Sequence, residues 1–114
     1  MENCIFCKLA HHDIPTKVVY EDETVFAFED MAPQAPVHIL VIPKKHVADV
    51  AALTGEDDAL IAHLIRVAAQ IAQEKGIAAT GFRLVTNCGK DARQSVSHMH
   101  IHLLGGAEMA DRMA

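Results

Sequence analysis

The sequence predicts one α+β domain over residues 1–114, built on a five-stranded, mainly antiparallel sheet. Three patterns predict it: an apolar run at 37–42, an alternating run at 97–104, and apolar residues at helical spacing within 57–75. One long helix covers one face of such a sheet well and leaves the other poorly covered. We therefore expect a homodimer, which is the commonest closed assembly.

The first third of the chain predicts a short N-terminal helix, a hairpin and a central strand. Prolines and acidic residues separate apolar segments that are too short for long helices. We expect, in order, a helix or turn at 4–11, strands at 18–20 and 24–29, a two-proline loop at 30–36, and a buried strand at 37–42.

The rest of the chain predicts one long helix and two further strands. Thr54 and Asp57 form an acidic variant of the capping box, and Gly76 suits the position after a helix end, so we expect a helix over 57–75. A strand at 82–88 would carry Cys88 in the core. A polar loop at 89–95 then leads to the last strand at 97–104.

Three histidines alternate with three apolar residues in the last predicted strand. Because successive side chains on a strand point to opposite faces, one face carries His98, His100 and His102. The other face carries Met99, Ile101 and Leu103. The imidazole row has three explanations: metal ligands, a nucleophile with supporting groups, or a surface stripe without a role. His38, alone in its apolar run, is either a hydrogen-bonded core histidine or a member of the same site.

Composition excludes several classes of function. The net charge of −5 argues against a surface for nucleic acid polymers, and no apolar run approaches the roughly 20 residues of a membrane span. The N-terminus lacks the basic and apolar regions of a signal peptide, and three cysteines make no disulfide framework. We therefore expect a cytoplasmic protein without a membrane partner. Cys4 and Cys7 form a C-x-x-C pair, which alone is weak evidence because free cysteines are often small buried hydrophobes.

Residues 98–104 resemble the His-x-His-x-His-x-x motif of the histidine triad (HIT) family, where x is apolar. Residues 27–30, 33–38, 41–46 and 94–96 also resemble its nucleotide-binding branch, Hint, so the likeness covers nearly the whole chain. The resemblance implies a HIT-like dimer with one continuous sheet and no organic cofactor. It also implies hydrolysis of purine nucleoside 5′-monophosphoramidates or aminoacyl adenylates, which releases AMP through a covalent nucleotidyl-histidine.

The resemblance assigns roles to residues at matching positions. His100 matches the nucleophile that attacks the α-phosphorus, while His38, His98 and His102 match supporting positions, with His102 close to the phosphate. Asp30 matches the acceptor for both ribose hydroxyls. The remaining nucleotide-binding positions are Asn87, Arg93, Gln94 and Ser95 on the phosphate side, where Ser95 would donate to the leaving group, and Phe6, Leu9, Phe28 and Met31 in the base slot.

The chain departs from the branch around the phosphate loop and at the C-terminus. Ala92 and Arg93 stand where glycines are usual, and Ser97 replaces a usual tyrosine. Residues 108–114 lack the aromatic tail that shapes substrate choice in some relatives. Neither the loop geometry nor the leaving-group preference therefore transfers from the resemblance.

Some bacterial members of the family carry a structural zinc site, and this chain has all four matching residues: Cys4, Cys7, His46 and His98. Two thiolates and two imidazoles suit a closed, tetrahedral Zn²⁺ site. The alternative is that both cysteines are ordinary core residues and His46 is solvated. The alternative function is a zinc-binding or nucleotide-binding interaction module with negligible turnover.

Overall fold

The computed structural model describes residues 3–114 and contains the predicted α+β fold. Its elements are α1 (Ile5–Ala10), β1 (Val18–Glu21), β2 (Val25–Glu29), β3 (Val37–Pro43), α2 (Asp58–Glu74), β4 (Phe82–Val85) and β5 (Ile101–Gly105). The strands form one sheet in the order β1-β2-β3-β5-β4, and every neighbouring pair is antiparallel. The predicted sheet, long helix and short helix are all confirmed.

Local sequence signals explain the limits of α2. A 3₁₀ turn at Gly55–Asp57 precedes it, and Asp57 Oδ2 accepts from the Thr54 amide at 3.0 Å, which completes the predicted capping box. Gly76 has φ +76°, a conformation that costs other residues energy, and the helix has ended by then. The helix predicted over 57–75 is thus correct to one residue at each end. Within residues 3–114, no helix is both long and apolar enough to cross a membrane.

Two core clusters lie on opposite faces of the sheet. The larger packs α2 against the apolar half of the alternating run, which is Met99, Ile101 and Leu103. The smaller places Phe6 of α1 against Phe28 and other apolar residues of β2 and β3. Each large side chain buried in this way contributes about 1.5–3 kcal/mol. Because α1 covers only β2 and β3, the histidine face remains open over β5 and β4.

The last strand begins at Ile101, not at residue 97 as the alternation predicted. Pro43 ends β3, and it has no N–H with which to extend the ladder towards residue 99. Its carbonyl instead accepts a 2.8 Å hydrogen bond from His98 Nε2. Side chains therefore still alternate between the two faces of the sheet just before Ile101, although the backbone there is not paired in a strand ladder.

β4 ends at Val85, so the prediction of a strand through Cys88 was wrong. Val85 pairs with His102, one residue from the start of β5, and little partner strand remains beyond it. The Thr86 hydroxyl donates to the His100 carbonyl at 2.8 Å and takes the place of a ladder bond. Cys88 is exposed, which corrects its expected place in the core.

Candidate active site and metal centre

His100 lies just before β5 and has one ring nitrogen fixed by the main chain. Its Nδ1 is 2.7 Å from the His98 carbonyl, and because a carbonyl only accepts, Nδ1 carries the proton. Nε2 has no hydrogen-bond partner among residues 3–114. No side-chain nitrogen in that part of the chain is both fully buried and unpartnered, so Nε2 opens to solvent. The ring itself is only 3% exposed and packs edge-on against Phe6 at 5.1 Å. This is the tautomer that a nucleophilic imidazole requires.

His38 and His102 form a hydrogen-bonded chain with a defined direction. The Gln34 amide donates to His38 Nδ1 at 3.0 Å, so the proton of a neutral His38 sits on Nε2. That Nε2 lies 2.9 Å from His102 Nδ1 and donates to it. His102 therefore carries its own proton on Nε2. This series of hydrogen bonds therefore ends in a donor, the Nε2–H group of His102, on the side of the sheet that carries the histidines.

Burial keeps both imidazoles of this chain neutral. It lowers the pKa of His38 from its ordinary value of 6.5, against the opposing pull of the Asp30 carboxylate. Burial, with the charges that His100 and His38 would carry, lowers the pKa of His102 to about 4. Both rings can therefore keep their donor and acceptor roles near pH 7.

Asp30 follows the end of β2 and faces His38. One carboxylate oxygen, Oδ1, accepts from the Ala32 amide at 2.8 Å, which fixes the side chain. The other, Oδ2, lies 3.4 Å from His38 Nε2 and keeps room for further donors. Asp30 also borders an open cavity of about 370 Å³ together with Met31 and Pro15. A carboxylate held in this way can accept from ligand hydroxyls.

Only three of the four expected base-slot residues come together. Phe6, Leu9 and Phe28 are buried in one cluster, and the rings of Phe6 and Phe28 meet edge-on at 5.5 Å. Met31 is 97% exposed and lies outside that cluster. Phe6, Leu9 and Phe28 therefore form one buried apolar cluster to which Met31 does not belong.

The loop before the triad keeps its shape without the usual glycines. Arg93 adopts φ +62°, a left-handed conformation that costs a non-glycine residue about 1–2 kcal/mol. Gln94 stabilises the loop: its Oε1 accepts from the Gly89 amide at 2.9 Å, and its Nε2 donates to the carbonyls of Ala48 and Val96 at 2.8 and 2.9 Å. Because these bonds occupy its amide, Gln94 is suited to holding the loop.

Two of the four expected phosphate-side residues, Asn87 and Ser95, line different cavities. Asn87 shares a cavity of about 580 Å³ with His38 and His102. Ser95 is exposed and lines another cavity of about 580 Å³, together with Cys4 and His46. The structure therefore brings Asn87, but not Ser95, into the cavity of His102.

Cys4, Cys7, His46 and His98 converge on one point, and their ligand atoms all lie within 4.8 Å of one another. His98 Nδ1 is 3.2 Å from Cys4 Sγ, 3.5 Å from Cys7 Sγ and 3.2 Å from His46 Nδ1. Tetrahedral Zn²⁺ with ordinary bond lengths separates its ligand atoms by about 3.3–3.8 Å. The cluster thus fits a Cys₂His₂ zinc site with little adjustment.

The surroundings of the cluster also suit a metal. The bond from His98 Nε2 to the Pro43 carbonyl turns Nδ1 and its lone pair towards the thiols. Burial lowers the pKa of His98, which favours the neutral form that ligates metals. Burial and the neighbouring Cys4 raise the pKa of the Cys7 thiol. A bound cation would reverse that trend by stabilising thiolates.

The triad histidines do not share one metal site. Among residues 3–114, His98 belongs to the cysteine cluster, while His102 falls in a second potential ligand group with Asp30 and His38. In that second group the two imidazole nitrogens are 2.9 Å apart, shorter than the about 3.3 Å between two nitrogens on tetrahedral zinc. They are hydrogen-bonded to each other instead. The idea of one metal held by the whole triad is therefore not supported.

Sequence reasoning missed the positively charged lining of the His102 cavity. Arg83 and Arg112 both line it, from β4 and from the C-terminal segment. Arg83 had a detectable signal, because it is the one charged residue in the apolar strand 82–85. Arg112 had none, since its segment contains no recognisable motif.

Comparison with known proteins gives consistent matches over almost the whole chain. A family model described as "Scavenger mRNA decapping enzyme C-term binding" matches residues 3–113. An uncharacterised HIT-like protein of Synechococcus elongatus is 48% identical over 109 residues, 96% of this chain and 95% of that protein. The purine nucleoside phosphoramidase of Escherichia coli K12 is 42% identical over 113 residues, 99% of this chain and 95% of that enzyme.

Solved structures match as well. A HIT family hydrolase from Clostridium thermocellum superposes with a TM-score of 0.97 at 43% identity, covering 100% of this chain and 99% of that one. A histidine triad protein from Clostridium difficile gives a TM-score of 0.96 at 44% identity, covering 98% and 97%.

Proposed function

Because this chain belongs to the histidine triad family, we propose that it hydrolyses purine nucleoside 5′-monophosphoramidates or aminoacyl adenylates and releases AMP. The observation that carries the proposal is the tautomer of His100, whose Nδ1–H is held by the His98 carbonyl at 2.7 Å. This bond leaves the Nε2 lone pair available for attack on phosphorus. The named relative that cleaves phosphoramidates supports the choice of substrate.

In the first step, His100 Nε2 attacks the α-phosphorus and forms a phosphorus–nitrogen bond. In a phosphoramidate, the bond from phosphorus to the departing amine breaks, and that nitrogen takes a proton from solvent because a bare amide anion is a poor leaving group. In an aminoacyl adenylate, the bond from phosphorus to the carboxyl oxygen breaks instead, and the amino acid leaves as a carboxylate that needs no proton. We assign the supporting hydrogen bond to the Ser95 hydroxyl, which requires Ser95 to turn from its own cavity when substrate binds. His100 becomes a positively charged nucleotidyl-imidazolium.

In the second step, water attacks the same phosphorus and releases one proton to solvent, while the bond to His100 Nε2 breaks and its electron pair returns to that nitrogen. AMP leaves and His100 returns to its neutral form. Throughout, His102 Nε2–H donates to a phosphoryl oxygen, because His38 fills the other nitrogen of that ring at 2.9 Å. This neutral donor stabilises the negative charge that develops on the phosphoryl oxygen, and no proton is transferred from His102.

Three groups of residues contact the ribose, the phosphate and the base of the nucleotide. Asp30 accepts from the two ribose hydroxyls through the oxygen that faces His38. Asn87 and the loop with Arg93 and Gln94 surround the phosphate. The base lies against the apolar slot of Phe6, Leu9 and Phe28, with Met31 at its exposed side.

We further propose that Cys4, Cys7, His46 and His98 bind one structural Zn²⁺. When bound, the ion supplies a cross-link and no catalysis, because all four positions around it are filled by side chains. The four ligands join α1 to the segments that flank β3 and β5, a region with a small core. Free thiols at such a site suit a reducing compartment, so we also propose a cytoplasmic location.

A homodimer with one continuous sheet is the assembly that we propose. β4 is a four-residue edge strand at the end of the sheet order, so its outer N–H and C=O groups can pair with a second β4. Sedimentation at micromolar concentration tests this proposal. A single species with the mass of one chain would contradict it.

Incubation with adenosine 5′-phosphoramidate tests the proposed activity. We expect the wild-type protein to release AMP and His100→Gln to release none, while both still bind AMP. Binding of AMP without turnover by the wild type would favour the alternative, a nucleotide-binding module. Equal turnover by both proteins would contradict the role of His100.

A further inference from the structure

Cys4 and Cys7 are free cysteines on opposite sides of the first turn of α1. Cys4 is the N-cap residue, and its Sγ accepts a 3.3 Å hydrogen bond from the Cys7 amide. Both sulfurs belong to the group of ligand atoms that all lie within 4.8 Å of one another. A C-x-x-C pair is also the arrangement in which proteins reversibly form and reduce a disulfide. The same two residues can therefore act as metal ligands or as an oxidisable dithiol.

A small oxidant can reach this pair from one side. Cys4 lines the open cavity of about 580 Å³ that also contains His46 and Ser95. Cys7 is only 3% exposed and does not line that cavity. Cys4 is therefore the sulfur that an oxidant from solvent meets first, and Cys7 is the sulfur that can close the disulfide.

His98 connects the cysteine pair to the proposed nucleophile. Its Nδ1 lies 3.2 Å from Cys4 Sγ and 3.5 Å from Cys7 Sγ, whereas its main-chain carbonyl holds His100 Nδ1 at 2.7 Å. His98 is fully buried, so its ring cannot move without its surroundings. A displacement of His98 therefore reaches the bond that fixes the tautomer of His100.

Phe6 makes a second connection between the pair and His100. It lies between the two cysteines in the chain, and its ring meets those of His98 and His100 edge-on at 6.0 and 5.1 Å. A disulfide requires its sulfurs to be about 2.05 Å apart. Closing one draws both sulfurs away from the other ligand atoms and rearranges the first turn of α1, which carries Phe6.

We propose that Cys4 and Cys7 form a thiol switch, in which oxidation by a peroxide to a disulfide lowers the activity of His100 through His98 and Phe6. The inference rests on the proposed hydrolase function and the proposed zinc site, and it adds regulation by oxidants to them. In a reducing compartment the pair stays reduced and able to hold the ion. Disulfides that do form in such compartments are usually transient and redox-sensing.

The oxidation takes two steps and consumes one peroxide molecule. In the first, the Cys4 thiolate attacks one peroxide oxygen and the O–O bond breaks, which leaves a sulfenic acid on Cys4 and a hydroxide that takes a proton from solvent. In the second, the Cys7 thiolate attacks the Cys4 sulfur, the S–S bond forms, and the S–O bond breaks to release a second hydroxide, which is also protonated. Two electrons from the sulfurs thus reduce the peroxide to two waters. The metal site loses two of its four ligands and with them its hold on Zn²⁺.

Treatment of untagged, zinc-loaded protein with hydrogen peroxide tests the switch. Peptide mass spectrometry without reduction locates the disulfide, a chromophoric chelator measures released zinc, and the NMR signal of the Nδ1–H group of His100 reports its bond to the carbonyl. We expect a disulfide between Cys4 and Cys7, release of the zinc and a changed His100 signal. We also expect kcat/KM for AMP release to fall about 10- to 100-fold, because small displacements of reacting groups cost this much.

A thiol reductant with added zinc should reverse all four changes. Because it does not repair methionine sulfoxide, reversal also excludes oxidation of the exposed Met31 as the cause.

Two variants serve as controls, each compared with its own untreated sample. Cys88→Ser removes the exposed thiol and should respond to peroxide as the wild type does. Cys4→Asp keeps an N-cap acceptor for the Cys7 amide and an oxygen ligand for zinc, but it cannot form the disulfide. Peroxide should therefore leave its zinc content and its kcat/KM largely unchanged. If Cys4→Asp fails to fold, the wild-type disulfide and its reversal decide the proposal.

Treatment that yields no disulfide between Cys4 and Cys7 would overturn the switch, as would a disulfide that leaves the His100 signal and kcat/KM unchanged. Global unfolding of the oxidised protein would also overturn it, because the pair would then act on the whole fold and not on His100. Untreated protein that releases no AMP would overturn the proposed function, and untreated protein without zinc would overturn the metal proposal. In both of those cases the disulfide and the His100 signal still decide the switch.

Discussion

The hydrogen bond from His38 to His102 can be separated from the structural role of His38 by two substitutions. His38 makes one bond with each nitrogen: Nδ1 accepts from the Gln34 amide at 3.0 Å, and Nε2 donates to His102 at 2.9 Å. The amide of asparagine can reach the position of Nδ1, and that of glutamine can reach the position of Nε2. His38→Asn therefore removes the donor to His102, and His38→Gln removes the acceptor for Gln34.

The expected magnitudes follow from the burial of both partners. Leaving a buried polar group unpaired costs about 1–3 kcal/mol. Without its donor, His102 no longer has a fixed tautomer, so His38→Asn should lower kcat/KM about 10- to 100-fold. His38→Gln should keep kcat/KM within several-fold of the wild type but lower the free energy of unfolding by about 1–3 kcal/mol, because the Gln34 amide loses its acceptor.

The assay pairs AMP release from adenosine 5′-phosphoramidate with urea unfolding of the same preparations. Each variant leaves one partner of His38 unpaired, so both should lose stability, but only His38→Asn should lose most of its activity. If both variants lost activity in proportion to lost stability, His38 would act only as a core residue. If His38→Asn kept full kcat/KM, the direction assigned to the hydrogen-bonded chain would be wrong.

Three further predictions concern the ribose, the metal and pH. Asp30→Ala should weaken AMP binding about 10- to 100-fold and reduce the preference for ribose over deoxyribose in isothermal titration; unchanged affinity would contradict the ribose contact. Elemental analysis of untagged protein should find about one zinc per chain, lost when Cys4 and Cys7 are both changed to Ser but kept in the exposed-thiol control Cys88→Ser. Protein prepared with zinc that holds none would end the metal proposal. The pKa of His102 is about 4 in the folded protein, against an ordinary value of 6.5. At pH values between these two, the unfolded chain binds a proton at His102 that the folded protein does not, so acid should destabilise the fold. In urea unfolding followed from pH 6.5 to 4, this partly solvated ring should account for a loss of about 1–2 kcal/mol that His102→Gln abolishes; an unchanged pH dependence would contradict the shift.

Periodicity predicted most of the fold because the buried faces follow it closely. The capping box and Gly76 predicted the limits of α2 to within one residue, the helical spacing predicted its buried face, and Met99, Ile101 and Leu103 lie in the core as their alternation predicted. The alternation could not give the start of β5. That start depends on Pro43, a residue on a different strand that lacks an N–H, and so on a tertiary contact.

The burial of individual side chains was predicted less well than the positions of the helices and strands. Cys88 was expected in the core, but β4 ends before it because the partner strand has begun only at residue 101. Met31 was expected beside the base and is almost fully exposed. The error at Cys88 comes from treating an apolar residue type as a sign of burial, whereas burial depends on which element covers the residue.

The candidate site was likewise predicted only in part. The family resemblance identified Cys4, Cys7, His46 and His98 as one candidate ligand set, and their side chains do converge. The tautomer of His100 was beyond sequence reasoning, because it depends on which carbonyl lies 2.7 Å from Nδ1. Arg83 was missed because its place near His102 follows from the pairing of β4 with β5, which the sequence does not show.

The central claim is that His100 Nε2 forms a covalent bond to phosphorus. Rapid acid-free quenching of the wild-type protein with adenosine 5′-phosphoramidate, followed by peptide mass spectrometry, measures it most directly. We expect an early turnover sample to carry one adenylyl group on the peptide that contains His100, located on that residue by fragmentation, and to lose it as AMP accumulates. Rapid AMP release with no labelled peptide at any time, or a label on His98 or His102 instead, would contradict the account.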